Sequence, residues 1–309
     1  MLSTLDKAQG CLIGLLAGDN FGNHTEFMSS SNAKYKFPNG LTTLMKGGVH
    51  RISAGQPTDD GELALTLALS IIQNQGYDPK YTRKQYKLWA KSDPFDIGTN
   101  TYYSLNHDSF NSESISNGSL MRIAPIGIYG SSLNDLDKVG ELAILDSECT
   151  HDNPIVAEVN SIFAKGIALA ISSDLTAKQL LETMTSWATE PAVQIVMANA
   201  TKSKPKFMDG DEQGCCLIAF QNALYHLYKT DNITKAFNAT LLSGGDADTN
   251  CAILGALFGA VYGLKSIPDQ WIQAITTCTP DSKSMKPRPK EYWPNNALSI
   301  AYQLISLKD

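Results

Sequence analysis

Two short acidic segments of the sequence carry residue types that could bind divalent metal ions. Both segments combine two aspartates with a threonine: Thr58, Asp59 and Asp60 in the first, and Asp246, Asp248 and Thr249 in the second. Carboxylate and hydroxyl oxygens suit Mg²⁺, Mn²⁺ or Ca²⁺, whereas zinc prefers histidine and cysteine. The sequence therefore predicts a site with oxygen ligands only.

Helix capping is the ordinary explanation for either segment alone, because Asp and Thr favour helix N-termini. A helix needs only one cap, however, and each segment offers more. Four carboxylates brought within a few ångströms would repel one another unless cations lay between them. Two divalent ions about 3.5–4 Å apart would neutralise that charge and could activate water or orient hydroxyl groups.

The elements that must position these residues are predicted to be helices, since most apolar runs have helical spacing. We therefore expect an all-α fold and a single domain over residues 1–309. The predicted helices span 4–18, 60–74, 82–91, 99–106, 135–146, 154–172, 175–187, 191–199, 212–229, 232–242, 249–263, 268–276 and 293–307. Residues 20–58 and 200–213 are predicted to be long loops, which in compact domains are often lids or binding segments.

Two of these helices have a glycine at every fourth position, which places the glycines on one face. They are Gly10, Gly14 and Gly18 in the first helix, and Gly255, Gly259 and Gly263 in the last. Glycine destabilises a helix by about 1 kcal/mol relative to alanine. Close packing of two smooth faces would compensate for this loss, and it would bring the helix ends together.

Composition excludes several classes of protein. The formal net charge is −6 without a basic run, which argues against a long nucleic-acid groove. No apolar run approaches the ~18 residues of a membrane span, and the apolar start is too short for a signal peptide. We expect a soluble, cytoplasmic protein without a membrane partner, in which the six cysteines are free buried thiols.

Five sequence blocks occur in an order that is similar to one known family. They are GCLIGLLAGDNFGNHTEF (10–27), PTDDGELALTLAL (57–69), SNGSLMRIAPIGIY (116–129), THDNP (150–154) and GGDADTNCAILGALFGAVYG (244–263). This chain resembles the ADP-ribosylglycohydrolases over nearly its whole length. The resemblance implies an all-α orthogonal helical bundle with a dinuclear site, usually of two Mg²⁺ or two Mn²⁺ ions.

Carried over by position, the resemblance also implies a role for each residue. The first ion would be bound by Thr58, Asp59, Asp60 and Asp248, and the second by Asp246, Asp248 and Thr249. Glu26 matches the family glutamate beside the metals that moves with its loop. Glu26 or Asp96 would be the acid/base or water-orienting carboxylate, and the sequence does not decide between them. The implied ribose and diphosphate contacts are Gly98, Thr99, Asn117, Gly118, Ser119, Met121 and His151.

A few positions depart from the family pattern. Gly61 stands where many members have threonine, and Asn20 and Asn23 replace small residues. Cys215 stands where relatives often have an aromatic residue that stacks on the adenine or the terminal ribose. Tyr292 and Trp293 are candidates to replace that ring, although a packing role is equally reasonable.

The implied reaction is hydrolysis of the bond between ribose C1″ and a protein side chain or related acceptor, with release of ADP-ribose. Nucleic acid would be a partner only as an ADP-ribosylated substrate. The sequence does not identify the linkage. One alternative is an inactive family member that binds ADP-ribose or is structural, and another is a metal phosphoesterase on an unrelated helical scaffold. The presence of all six proposed ligands argues against an inactive member.

Overall fold

The computed structural model describes residues 2–206 and 208–307, and within these ranges it contains helices but no strand. The α-helices, in chain order, are α1 (Thr4–Gly22), α2 (Ser30–Lys36), α3 (Asp59–Asn74), α4 (Pro79–Ala90), α5 (Thr99–His107), α6 (Ala124–Gly130), α7 (Leu136–Ser147), α8 (Pro154–Ser172), α9 (Ala177–Thr185), α10 (Pro191–Ala200), α11 (Cys216–Lys229), α12 (Ile233–Leu241), α13 (Ala247–Tyr262), α14 (Asp269–Thr276) and α15 (Ala297–Ser306). Four 3-10 turns lie at Leu120–Arg122, Leu264–Ser266, Lys290–Tyr292 and Pro294–Asn296.

The all-α prediction is confirmed, and each predicted helix is present with its ends within a few residues of the predicted positions. Two short helices, α2 and α6, were not predicted, because seven residues are too few to show a helical period. α1 also continues to Gly22, past the predicted end. Its last turns carry Asp19 and Asn20, which look like loop residues but are fully buried.

The backbones of α1 and α13 touch along their glycine faces, as the spacing predicts. A Cβ atom on Gly14 would lie 2.1 Å from the carbonyl oxygen of Gly255, and one on Gly18 would lie 2.1 Å from that of Cys251. At the end of α1, a Cβ on Gly22 would lie 2.2 Å from the carbonyl oxygen of Ala247. The last turn of α1 therefore lies against the first turn of α13.

One continuous apolar core surrounds this helix pair, and it includes residues from Ala8 in α1 to Leu304 in α15. α8 passes a length and hydropathy test for a membrane-spanning helix, with a mean hydropathy of 1.5, which departs from the expectation that no segment approaches this limit. The central part of α8 is buried in the core, so its apolar composition has a structural explanation. All six cysteines belong to the described part of the chain and are free; Cys215 is half-buried and the others are buried.

Two buried ion pairs tie loops to this core. Arg122 donates to Asp146 at 3.1 Å and to the Thr150 hydroxyl at 2.8 Å, with its guanidinium over the ring of Tyr86. Arg288, in the C-terminal segment, donates to Glu62 of α3 at 2.8 Å. An unpaired buried charge is costly, so each pair fixes the segment that contributes its arginine.

Replacing Gly14 by alanine should strongly destabilise the fold. The new methyl group would overlap a backbone oxygen, which no side-chain rotation can relieve. Overpacking typically costs about 1–3 kcal/mol and outweighs the ~1 kcal/mol gained in helix propensity. Urea unfolding measures the difference. Gly210→Ala is the control, because a Cβ there would meet no described atom within 4 Å. Equal stability of the two variants would show that the helix pair is not tightly packed.

Candidate active site

The start of α3 is fixed by Asp19 of α1. The Asp19 carboxylate accepts hydrogen bonds from the backbone N–H groups of Thr58 and Gly61, both at 2.9 Å, and from the Thr58 hydroxyl at 2.9 Å. Asp19 therefore satisfies N–H groups that a capping side chain would otherwise bind. A larger residue at position 61 would collide with Asp19, since a Cβ there would lie 2.8 Å from its carboxylate. The side chains of Asp59 and Asp60 are thus free to face the cavity.

The two acidic segments meet at one end of the α1–α13 pair. The Thr249 hydroxyl of α13 lies 3.5 Å from the Asp60 carboxylate of α3. Residues of both segments line a cavity of about 480 Å³. The residues proposed from the sequence that line it are Glu26, Asp59, Asp60, Asp96, Gly98, Thr99, Asn117, Gly118, Met121, His151, Asp246, Asp248 and Thr249.

Two of the proposed residues lie behind this lining. Thr58 is fully buried and donates to Asp19, although the remaining lone pair of its oxygen can still face an ion. Ser119 is also fully buried, and its hydroxyl pairs with Ser147 at 3.1 Å and with Asn160 at 2.9 Å. In this structure, the Ser119 hydroxyl connects its own loop to α7 and α8.

The clustered carboxylates are protonated more readily than ordinary ones. Burial, and after it the neighbouring carboxylates, raise the pKa values of Asp59, Asp60 and Asp248 well above the usual range. One oxygen of Asp60 is buried without a hydrogen-bond partner among the described residues. Buried polar atoms normally have a hydrogen-bond partner, a bound water or a bound ion. The oxygen-rich donor set, the crowded charge and the orphaned atom all fit divalent cations.

A histidine that the sequence analysis missed joins the two candidate acid/base groups. His50 Nε2 lies 2.7 Å from the Glu26 carboxylate and 3.3 Å from that of Asp96. Ligand atoms of Glu26, His50, Asp96 and Asp248 all lie within 4.8 Å of one another. His50 lies in the predicted 20–58 loop outside every motif, so only its position in this long loop could have suggested it.

The loop that contains Asn117 forms the opposite wall of the cavity. The Asn117 side-chain amide donates to Asp246 at 2.7 Å, and its backbone N–H donates to Gly214. His151 pairs with Ser116 at 2.9 Å and with Thr150 at 2.7 Å. Burial lowers the pKa of His151 to about 3, so its imidazole is neutral. A neutral ring is suited to hydrogen bonding and not to supplying charge.

The candidate stacking residues occupy other places. Cys215 precedes α11 and lies next to Gln213 and Gly214, which line the cavity. Tyr292 packs against the Arg288 guanidinium, and the Trp293 indole donates to the Arg288 carbonyl, so both rings hold the C-terminal segment. Phe27, which was not predicted from the sequence, contributes a phenyl ring to the cavity lining. Its side chain is 61% exposed and its φ is +58°.

Comparisons with known proteins show what this chain is similar to. A family profile for ADP-ribosylglycohydrolases matches residues 1–289. The chain is 25% identical to the ADP-ribosyl-[dinitrogen reductase] glycohydrolase of Rhodospirillum rubrum, covering 88% of this chain and 91% of the relative. It is also 25% identical to an ADP-ribosylarginine hydrolase of Pseudomonas putida, covering 88% and 74%. A solved ADP-ribosylglycohydrolase-related protein complex shares the fold, with a TM-score of 0.77, 24% identity and 99% coverage of both chains.

Metal binding should stabilise the protein more as the pH rises. Because the pKa values of Asp59, Asp60 and Asp248 are raised on folding, the metal-free folded state holds extra protons. These protons stabilise the folded state relative to the unfolded state. The stabilisation is fully present below the ordinary carboxyl pKa and is lost as the pH rises through the raised pKa values. Mg²⁺ or Mn²⁺ binds the ionised form and should offset the loss. The increase in Tm with millimolar metal, over EDTA, should be larger at about pH 8 than at about pH 5.5.

The increase in Tm with metal should be smaller for Asp248→Asn, because this substitution removes one central carboxylate. Asp137→Asn, whose side chain is 93% exposed, is the matched surface control. A metal-independent Tm of the wild-type protein at both pH values would contradict the metal site.

Proposed function

This chain belongs to the ADP-ribosylglycohydrolase family and is a hydrolase of glycosyl bonds, and on that premise we propose that it releases ADP-ribose from a protein side chain or related acceptor in a metal-dependent reaction. The observation that carries the proposal is the convergence of Asp59, Asp60, Asp246 and Asp248 in one cavity, with an oxygen of Asp60 left unpaired. A carboxylate cluster of this kind is costly without cations.

We propose that the two acidic segments bind two divalent ions, Mg²⁺ or Mn²⁺. The first would be bound by Thr58, Asp59, Asp60 and Asp248, and the second by Asp246, Asp248 and Thr249. When bound, such ions neutralise the carboxylates and orient the 2″ and 3″ hydroxyls of the terminal ribose. The protein contributes the rigid placement of these ligands: Asp19 fixes α3, and Asn117 holds Asp246.

The diphosphate and the ribose of ADP-ribose would lie along the other walls of the cavity. The first turn of α5, from Thr99 to Thr101, lines the cavity, and helix N-termini favour anionic groups. The Asn117–Gly118 turn adds hydrogen-bonding groups beside it, and the neutral ring of His151, whose two nitrogens already pair with Ser116 and Thr150, lines the same wall. Gly118 has little room to spare, since a Cβ there would lie 3.1 Å from the His151 ring. Glycine therefore fits this turn better than a residue with a side chain.

Cleavage of the C1″ bond builds positive charge on the ribose, so the site must stabilise that charge and assist the departing group. Glu26 is buried, and burial raises the pKa of its carboxyl group. A carboxyl group with a raised pKa can hold a proton near neutral pH and donate it to the leaving group. We propose Glu26 as the acid/base residue, with Asp96 beside it to orient water.

A non-catalytic relative that only binds ADP-ribose is the second candidate. Such a protein would not need its acid/base group, yet Glu26 and all six proposed ligands are present. Incubation with defined ADP-ribosylated arginine, serine and DNA substrates, in Mg²⁺ and in EDTA, distinguishes the two. Release of ADP-ribose from none of these substrates, together with tight ADP-ribose binding, would favour the binding protein. Release of phosphate without ADP-ribose would indicate a phosphoesterase.

Two substitutions should affect turnover in different ways. Asp248→Asn should abolish hydrolysis and weaken metal binding, because its carboxylate is proposed to contact both ions. Glu26→Gln should lower kcat by about 10²–10⁴-fold while ADP-ribose and metals still bind, as expected for a general acid/base group. A release assay combined with ADP-ribose calorimetry measures both effects.

Glu141→Gln is the control for the Glu26 substitution, because its side chain is 65% exposed. Asp96→Asn, assayed in parallel, tests the alternative assignment. Full activity of Glu26→Gln with loss of activity in Asp96→Asn would transfer the acid/base role to Asp96.

A further inference from the structure

A tight turn at residues 47–52 extends to the edge of the active site. Gly47 and Ile52 exchange two backbone hydrogen bonds, of 2.8 and 3.0 Å, which close the turn at its base. Gly47, Gly48 and Arg51 all have positive φ values, of 126°, 78° and 57°. Few sequences adopt such a backbone. The turn therefore has a specific shape, and His50 lies at its tip.

Two asparagines at the end of α1 hold this loop: Asn20 lies in the last turn, and Asn23 directly follows the helix. The Asn23 amide donates to the Gly47 carbonyl at 3.0 Å and its oxygen accepts from the His50 backbone N–H at 3.0 Å. Asn20 donates to the carbonyls of Ser53 and Gln56, at 3.0 and 2.9 Å. Asn20 and Asn23 are positions at which this sequence departs from the small residues common in the family. The departures thus supply the side chains that hold the turn.

The turn places the His50 imidazole beside two carboxylates. His50 Nε2 lies 2.7 Å from Glu26 Oε2 and 3.3 Å from Asp96 Oδ2, and its side chain is 13% exposed. A carboxyl group can accept at one oxygen even while its other oxygen carries a proton, so the Nε2–H group can donate to the closer oxygen, Glu26 Oε2. The ring of Phe95, 5.6 Å from the imidazole, limits its movement on another side. Two carboxylates this close would otherwise repel and separate.

We propose that His50 is a positioning residue that holds the Glu26 carboxylate beside Asp96 in the orientation used for acid/base catalysis. This inference rests on the proposed function, because it assigns His50 a role in the same reaction. His50 acts through Glu26 and does not itself contact the reacting atoms. Asn23 contributes indirectly, by fixing the backbone that carries the imidazole.

Two amide substitutions test the role of the Nε2–H group. The side-chain nitrogen of glutamine can reach the position of Nε2, whereas that of asparagine reaches only the position of Nδ1. We expect His50→Asn to lower kcat by about 10²-fold, as a misplaced catalytic group does, with little change in KM. His50→Gln should restore most of the lost rate. Both variants should melt near the wild-type temperature, because each keeps a polar side chain at a partly exposed position.

His107→Asn is the matched control, since His107 lies in an exposed ring cluster on α5 and should leave kcat unchanged. Asn23→Ala should lower kcat in the way that His50→Asn does, and combining the two should add little. Equal kcat values for His50→Asn and wild type would overturn the proposal. So would an equal loss in His50→Asn and His50→Gln, because that pattern indicates a role of the ring as a whole.

Crystal structures of the wild-type protein and of His50→Asn provide a readout that does not require activity. The proposal expects the Glu26 carboxylate to move away from Asp96 in the variant. An unchanged Glu26 would overturn it, even if wild type hydrolyses no substrate. Failure of the wild-type assay alone would instead count against the proposed function, so the two failures are distinguishable.

Discussion

The close contact between the backbones of α1 and α13 places the end of α1 beside the start of α13. Glycines on both helices allow this approach, because any side chain at Gly14 or Gly18 would overlap a backbone oxygen of α13. The contact continues to the end of α1, where Gly22 lies against Ala247. Glu26, which follows α1, therefore lies next to the acidic start of α13. Without this packing, residues more than two hundred positions apart could not share one cavity.

Burial of the cavity makes its carboxylates harder to ionise. Asp59, Asp60 and Asp248 are held in a site where both desolvation and mutual repulsion oppose ionisation. A protein can satisfy such a cluster with protons or with cations, and divalent ions satisfy it at neutral pH. Glu26 experiences the same burial but is held by His50 at one side. In the proposed mechanism, the same physical environment would favour metal binding at the aspartates and proton transfer at Glu26.

Local spacing was sufficient to predict most of the helices and the position of the acidic segments. Each prediction depended on a pattern within one segment: apolar periodicity, or a run such as TDD or GGDADT. The role of Asp19 could not be predicted, because its partners lie about forty residues away at the start of α3. His50 was missed for the same reason, since its proposed role depends on a turn held by Asn23, which directly follows α1. Ser119 lies in a matching motif, yet its hydroxyl is taken up by Ser147 and Asn160, which spacing does not reveal.

The presence of two metal ions can be measured directly by anomalous scattering from crystals grown with Mn²⁺. The proposed site requires two peaks between the start of α3 and the start of α13, with Asp248 in contact with both. Oxygen ligands should lie roughly 2.0–2.2 Å from each ion, since Mn²⁺ favours carboxylate, carbonyl and water oxygens. A map without a peak beside Asp60 and Asp246, at Mn²⁺ concentrations that saturate any change in Tm, would contradict a dinuclear site in this protein.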